Sequence, residues 1–124
     1  RVLSQDPNTS ELAYKPVLRT TEREPEPLVK FEVSGEAIQC SGGHPFWVSG
    51  EGWVKARHLE SPMRLHAVTG THVIEDVEQT GFEPTYNLIV ADFHTYFVGE
   101  AKILSHDNTI REPTIALVPG LIER

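Results

Sequence analysis

Cysteine is nearly absent from this chain, basic residues are outnumbered, and no long hydrophobic run occurs; each shortage removes a class of protein. With Cys40 the one cysteine in 124 residues, no disulfide can close within the chain and no Cys-rich zinc site can form. The lone thiol leaves the compartment open. No apolar stretch approaches the roughly 20 residues that a membrane-spanning helix needs, and Arg1-Val2-Leu3-Ser4-Gln5-Asp6-Pro7 has no signal-peptide core. No membrane partner is expected. Eleven Lys and Arg stand against 18 Asp and Glu, a net charge of -7, and the bases are scattered. Phosphate binding needs clustered cations, so no nucleic-acid partner is expected either. No segment keeps a 3.6-residue apolar period and no fixed-length repeat appears, which excludes bundles, solenoids and propellers.

What is present reads as many short strands. The length suits one domain with one core. Val2-Leu3-Ser4 looks like a strand already under way, which predicts a missing upstream segment. Asp6 to Ser10 forms a turn, and Leu12 to Leu18 returns as the antiparallel partner. The charged, proline-bearing run Glu22 to Pro27 predicts a break. Leu28 to Val33 and Ala37 to Cys40 flank Ser34-Gly35-Glu36 as a hairpin, and His44 to Val48 with Gly52 to Val54 form a second. Ala56 to Leu59 predicts one helical turn. Further strands are expected at Arg64–Val68, Thr71–Val77, Thr85–Val90, Thr95–Val98 and Ile103–Ser105. This density of strands and turns predicts an all-β fold. The proline-bounded segment from Glu112 to Gly120 carries its own apolar patch and reads as an arm.

Three of the six histidines stand where a strand meets a polar turn: His44 after Ser41-Gly42-Gly43, His94 after Ala91-Asp92-Phe93, and His106 before Asp107. Strand ends held by a rigid sheet are where catalytic groups concentrate, and imidazole moves protons near neutral pH. Convergence of the three would make a proton-transfer site. Three imidazoles and a water could also hold zinc, but the spacing is not a compact metal motif, so no metal or cofactor is expected. Cys40 reads as a small buried thiol on a strand, and Phe46, Trp47, Trp53, Tyr96 and Phe97 as core aromatics.

The run Ser41-Gly42-Gly43-His44-Pro45-Phe46-Trp47-Val48 resembles an element of the Hint family, the fold of inteins and hedgehog autoprocessing domains. In that element Thr or Ser stands three residues before a strand-initiating His. Tyr86 to Gly99 resembles the penultimate Hint block and Ile103-Leu104-Ser105-His106-Asp107 the terminal one. Block order and spacing look most like Hint domains of bacterial polymorphic toxins and intein-like proteins, over Val2 to Asp107. The resemblance implies a horseshoe of short, mostly antiparallel strands with pseudo-two-fold symmetry, a domain over 1–107 and a tail over 108–124. It also implies a bacterial protein, with a secreted or cell-surface setting compatible.

The activity implied is self-processing, in which an N-terminal Cys or Ser attacks the preceding carbonyl and turns an amide into an ester or thioester. Carried over by position, His44 protonates the departing nitrogen and Ser41 orients or hydrogen-bonds the scissile carbonyl. His94 and His106 assist a second junction, where the family's Asn cyclises. Asn87 stands where many inteins carry a catalytic Asp. Two departures follow: the first block with its nucleophile is expected upstream of Arg1, and Asp107 occupies the position of the cyclising Asn. A carboxylate serves that cyclisation poorly, so downstream cleavage is expected to be slow or absent, with Asn108-Thr109 as a weaker candidate junction.

The expectation is therefore a nucleophile-less fragment, or the larger half of a split domain, acting on its own polypeptide when the first block is supplied. An N-terminal fragment in trans or a strand-exchanged dimer would cover the edges left open by the missing block. The alternative is a degenerate module serving as a structural connector in a secreted protein.

Overall fold

A computed structural model describes residues 1–107 and 109. In chain order the strands are β1 (Val2–Gln5), β2 (Leu12–Lys15), β3 (Val17–Val33), β4 (Glu36–Ser41), β5 (Pro45–Val48) and β6 (Gly52–Lys55). A 3-10 turn over Ala56–His58 follows, then β7 (Arg64–Ala67), β8 (Gly70–Val90), β9 (Thr95–Val98) and β10 (Ile103–His106). All pairings among them are antiparallel. The expected all-β architecture is therefore the observed one. The proposed tail and its apolar patch lie outside the described residues, apart from Thr109.

Local chemistry explains the hairpins. Ser34 and Gly35 both hold positive φ, 49° and 75°, the conformation a tight two-residue hairpin turn requires. It joins β3 to β4 in the register Val33↔Glu36. Along the end of β3, Val29, Phe31 and Val33 are buried while Glu32 between them is exposed, the two-residue period of a strand with one face on a core. Phe31 meets Phe46 edge to face at 5.1 Å inside a cluster that includes Val48, Leu65, Ile74 and Ile103. A second small cluster joins Trp47 and Leu104 to Trp53 and Phe97.

Two long strands organise the rest, and here the structure departs from the sequence reading. The break expected at Glu22 to Pro27 is absent: β3 runs through it, paired to β8, with register irregularities between Arg23 and Glu26 and between Pro27 and Val29. Proline lacks a ladder donor, and irregular pairing is where a strand tolerates it. Likewise the strands expected at Thr71–Val77 and Thr85–Val90 are one strand, β8, whose middle is exposed and polar. The main sheet runs β4-β3-β8-β7-β10-β5-β6, with β9 on β10. β4 alone thus lies outside β3, while β7, β10, β5 and β6 lie beyond β8. β1 and β2 form a separate two-stranded sheet.

Candidate functional site

The turn after β4 delivers Ser41 and His44. Backbone bonds pin it at four points: Gly42 N–H to Pro27 O, His44 N–H to Ser41 O, Ala56 N–H to His44 O and Arg57 N–H to Gly42 O, between 2.8 and 3.2 Å. The backbone passes close enough that a Cβ on Gly42 would touch the Arg57 Cβ at 3.4 Å. Ser41 is buried, and the His44 ring packs 5.0 Å from Phe46 and 6.2 Å from Tyr96. Burial, aided by repulsion from His106, lowers the His44 pKa to about 4. At neutral pH the ring is uncharged.

His94 comes from a second turn. Asp92 and His94 both hold positive φ, 64° and 56°, a conformation that side chains other than Gly adopt only when neighbours over-determine it. Here Phe93 N–H bonds Ala91 O, Ala91 N–H bonds Pro16 O, and Lys15 pairs with Asp92 at 3.0 Å. From this turn His94 Nδ1 reaches Asp107 Oδ2 at 3.1 Å, and Asp107 N–H donates to His94 O at 2.8 Å.

Asp107 is the junction of the site. Its side chain is fully buried, and a buried carboxylate is stable only when its lone pairs are used. Oδ2 accepts the Val90 N–H at 2.8 Å. Oδ1 accepts the Thr109 N–H at 3.0 Å and the Thr109 hydroxyl at 2.6 Å. The Asp107 carbonyl accepts from His106 Nδ1 at 2.9 Å; a carbonyl oxygen only accepts, so the hydrogen sits on Nδ1 of His106. The His106 ring lies edge to face with Trp53, 5.0 Å away.

Ser41, His44 and Asp107 line one groove of about 510 Å³. His94 and His106 do not line it; both touch Asp107. Two of the three histidines are thus tied to one residue, Asp107, which shares a groove with the third, and among the described residues no three His, Cys, Asp or Glu side chains are placed to hold a metal ion. Thr109 also reaches the groove, and nothing in sequence singled it out beyond its place after Asn108. Asn87 and Tyr96 line it too, with the Tyr96 hydroxyl donating to Asn87 Oδ1 at 2.5 Å. Tyr96 is buried as expected of a core aromatic, and that burial pushes its hydroxyl up to about 12. Cys40 lines the same groove, and burial raises its thiol to about 12.

An antiparallel β-fold that opens Ser41, His44 and Asp107 onto one groove is the fold of an intein-like, self-processing class of domain. The model of the pretoxin HINT domain matches residues 1–109, and the chain belongs to that family. It is similar to the bacterial intein-like domain from Clostridium thermocellum, at 35% identity and TM-score 0.77, covering 84% of this chain and 78% of that one. It also has the fold of the DnaX mini intein from Spirulina platensis, at 24% identity and TM-score 0.71, covering 86% and 80%. The DnaB intein from Synechocystis shares the fold at 18% identity and TM-score 0.74, covering 87% and 78%. No curated protein matches the chain.

Proposed function

We propose that this domain cuts its own chain at a junction upstream of Arg1, by an acyl shift from nitrogen to sulfur or oxygen. A Cys or Ser on the upstream segment, carried in the same chain or on a separate N-terminal fragment, attacks the carbonyl that precedes it. The nucleophile's proton passes to His44 and on to the amide nitrogen as the carbon–nitrogen bond breaks and the ester or thioester forms. Ser41 orients or hydrogen-bonds the scissile carbonyl. The observation that best supports this reading is the opening of Ser41 and an uncharged His44 onto one groove with Asp107. A weakly basic imidazole, once protonated, gives its proton up readily, which suits delivery to a departing amine.

At the downstream end, the His106 Nδ1–H on the Asp107 carbonyl polarises the bond that cyclisation would cut, with His94 assisting through the side chain. Asp107 does not complete that step, because both its oxygens are turned toward other donors. Residues 108–124 accordingly stay attached as a tail to the domain over 1–107.

Supplying an upstream segment with its Cys or Ser and incubating with a thiol should release the segment before that residue, and His44→Ala should abolish release. A protein that stays intact and is indifferent to His44→Ala overturns the proposal. The full engagement of Asp107 also favours a second reading, a catalytically silent connector in a secreted protein. Mass spectrometry of the intact parent decides between them, since a fragment ending before the first block excludes a pure connector.

A further inference from the structure

The β1–β2 hairpin has no strand ladder to the main sheet, yet it lies against β9, and one buried hydroxyl makes the attachment. Thr95 has no exposed surface, Ser4 has none and Gln5 very little. The Thr95 hydroxyl donates to Gln5 O at 2.7 Å and accepts the Gln5 N–H at 3.0 Å. Its single hydrogen being spent on that carbonyl, the 2.9 Å contact with Ser4 Oγ is one in which Ser4 donates. The hydroxyl therefore uses one donor and two acceptor positions on two consecutive residues of β1. The Gln5 side chain is also held, with Oε1 2.7 Å from His66 Nε2 and Nε2 donating to Ser10 O at 3.0 Å.

Thr95 is just as closely tied to the site. It follows His94 directly and stands opposite His106 in the β9/β10 register. The end of the same hairpin also holds the His94 turn, through Lys15 on Asp92 and the adjoining Pro16 carbonyl on Ala91 N–H. Any segment upstream of Arg1 would enter through β1, so whatever fixes β1 fixes the point from which an upstream residue approaches the groove. A side-chain clasp here does what ladder bonds do between sheet strands, and it does so one residue from His94.

We propose that Thr95 is a positioning residue for the self-processing reaction, a clasp that seats the strand leading from the upstream junction against the His94–Asp107–His106 centre. This rests on the reading under Proposed function, and it adds a residue whose own atoms never touch the reacting groups. Misplacement of a reacting group by about 1 Å costs on the order of a hundredfold in rate, so loss of the clasp should be felt in the chemistry.

The parent protein with its upstream junction intact, and the present chain followed by amide hydrogen exchange, test this together. Thr95→Val keeps the shape and removes the hydroxyl. It should reduce protection of the Gln5 amide at least tenfold and slow release of the upstream segment at least tenfold, and Thr95→Ser should restore both. Ser4→Ala, which removes a single bond, should fall between and serves if Thr95→Val does not fold. Val33→Ala, a core change at the end of β3, should leave the release rate of the folded protein within twofold. The clasp is overturned if Gln5 protection is unchanged in Thr95→Val, if release proceeds at the original rate, if Thr95→Ser fails to rescue, or if Val33→Ala slows release equally. Should the unaltered parent never release its upstream segment, the self-processing reading falls, and Gln5 protection still decides whether the clasp exists.

Discussion

His94 Nδ1 stands 3.1 Å from Asp107 Oδ2, so the residue that closes one turn is held by the residue that follows β10. The same carboxylate oxygen accepts the Val90 N–H, which draws the end of β8 into the contact. Three segments meet on one side chain, and both oxygens of Asp107 accept hydrogen bonds.

Asp107→Asn exchanges one accepting oxygen for an N–H₂ group. Whichever way the amide turns, it points a donor at either Val90 N–H or the Thr109 donors. An unsatisfied buried group costs about 1–3 kcal/mol, and urea unfolding should show a loss of that size. The same variant restores a carboxamide able to cyclise, so incubation should yield a product shorter by 124 − 107 = 17 residues. Intact mass after incubation checks this; an uncut, equally stable variant contradicts it.

The pKa of His44 lies near 4 in the folded protein against 6.5 ordinarily, through burial first and His106 second. Between these values the unfolded chain binds a proton that the folded one refuses, so stability is lost as pH falls from 6.5 toward 4. At about 1.4 kcal/mol per unit, the loss from this residue approaches roughly 3 kcal/mol. Urea midpoints measured from pH 7 to 4 should decline accordingly, and His44→Gln should flatten that part of the curve.

Cys40 lies in the groove, but its thiol is pushed up to about 12 by burial. Since the thiolate is the reactive form, the folded chain at pH 8 should react with a thiol-specific reagent at least a hundredfold more slowly than the unfolded chain. Cys40→Ala should change release of an upstream segment by less than twofold. A large loss of activity would assign Cys40 a part in the reaction.

Gly99 holds φ 74° in the turn between β9 and β10, and a Cβ there would meet the Glu36 carboxylate at 2.8 Å. That carboxylate accepts the N–H groups of Glu100 and Ala101, so it cannot withdraw without leaving them unpaired. Gly99→Ala should cost about 1–3 kcal/mol in thermal or urea unfolding. Glu36→Ala should recover part of that cost when combined with it, because the clash disappears.

Legibility in the sequence followed distance along the chain. Turns written in neighbouring residues, such as Ser34-Gly35 and the Gly50 to Gly52 link, were readable because their φ values are set by local sterics. So were the runs that bury one face, including Phe31 and Val33, and the blocks around His44, His94 and His106 that carry the family resemblance. The continuous β3 and β8 were not readable, because their central residues are polar and exposed and only mutual pairing makes them strands.

By itself, then, the sequence determined an all-β domain of Hint type with Ser41, His44, His94, His106 and Asp107 at strand ends. Tertiary structure decided how they meet. Asp107 became the common partner of His94, Val90 and Thr109, while His44 was left uncharged at neutral pH by burial beside His106. It also decided that Thr95 grips Ser4 and Gln5 across 91 and 90 positions of chain. Such contacts depend on where the sheet brings distant backbone together, and a buried polar group takes its partners from that geometry, whatever the spacing in sequence.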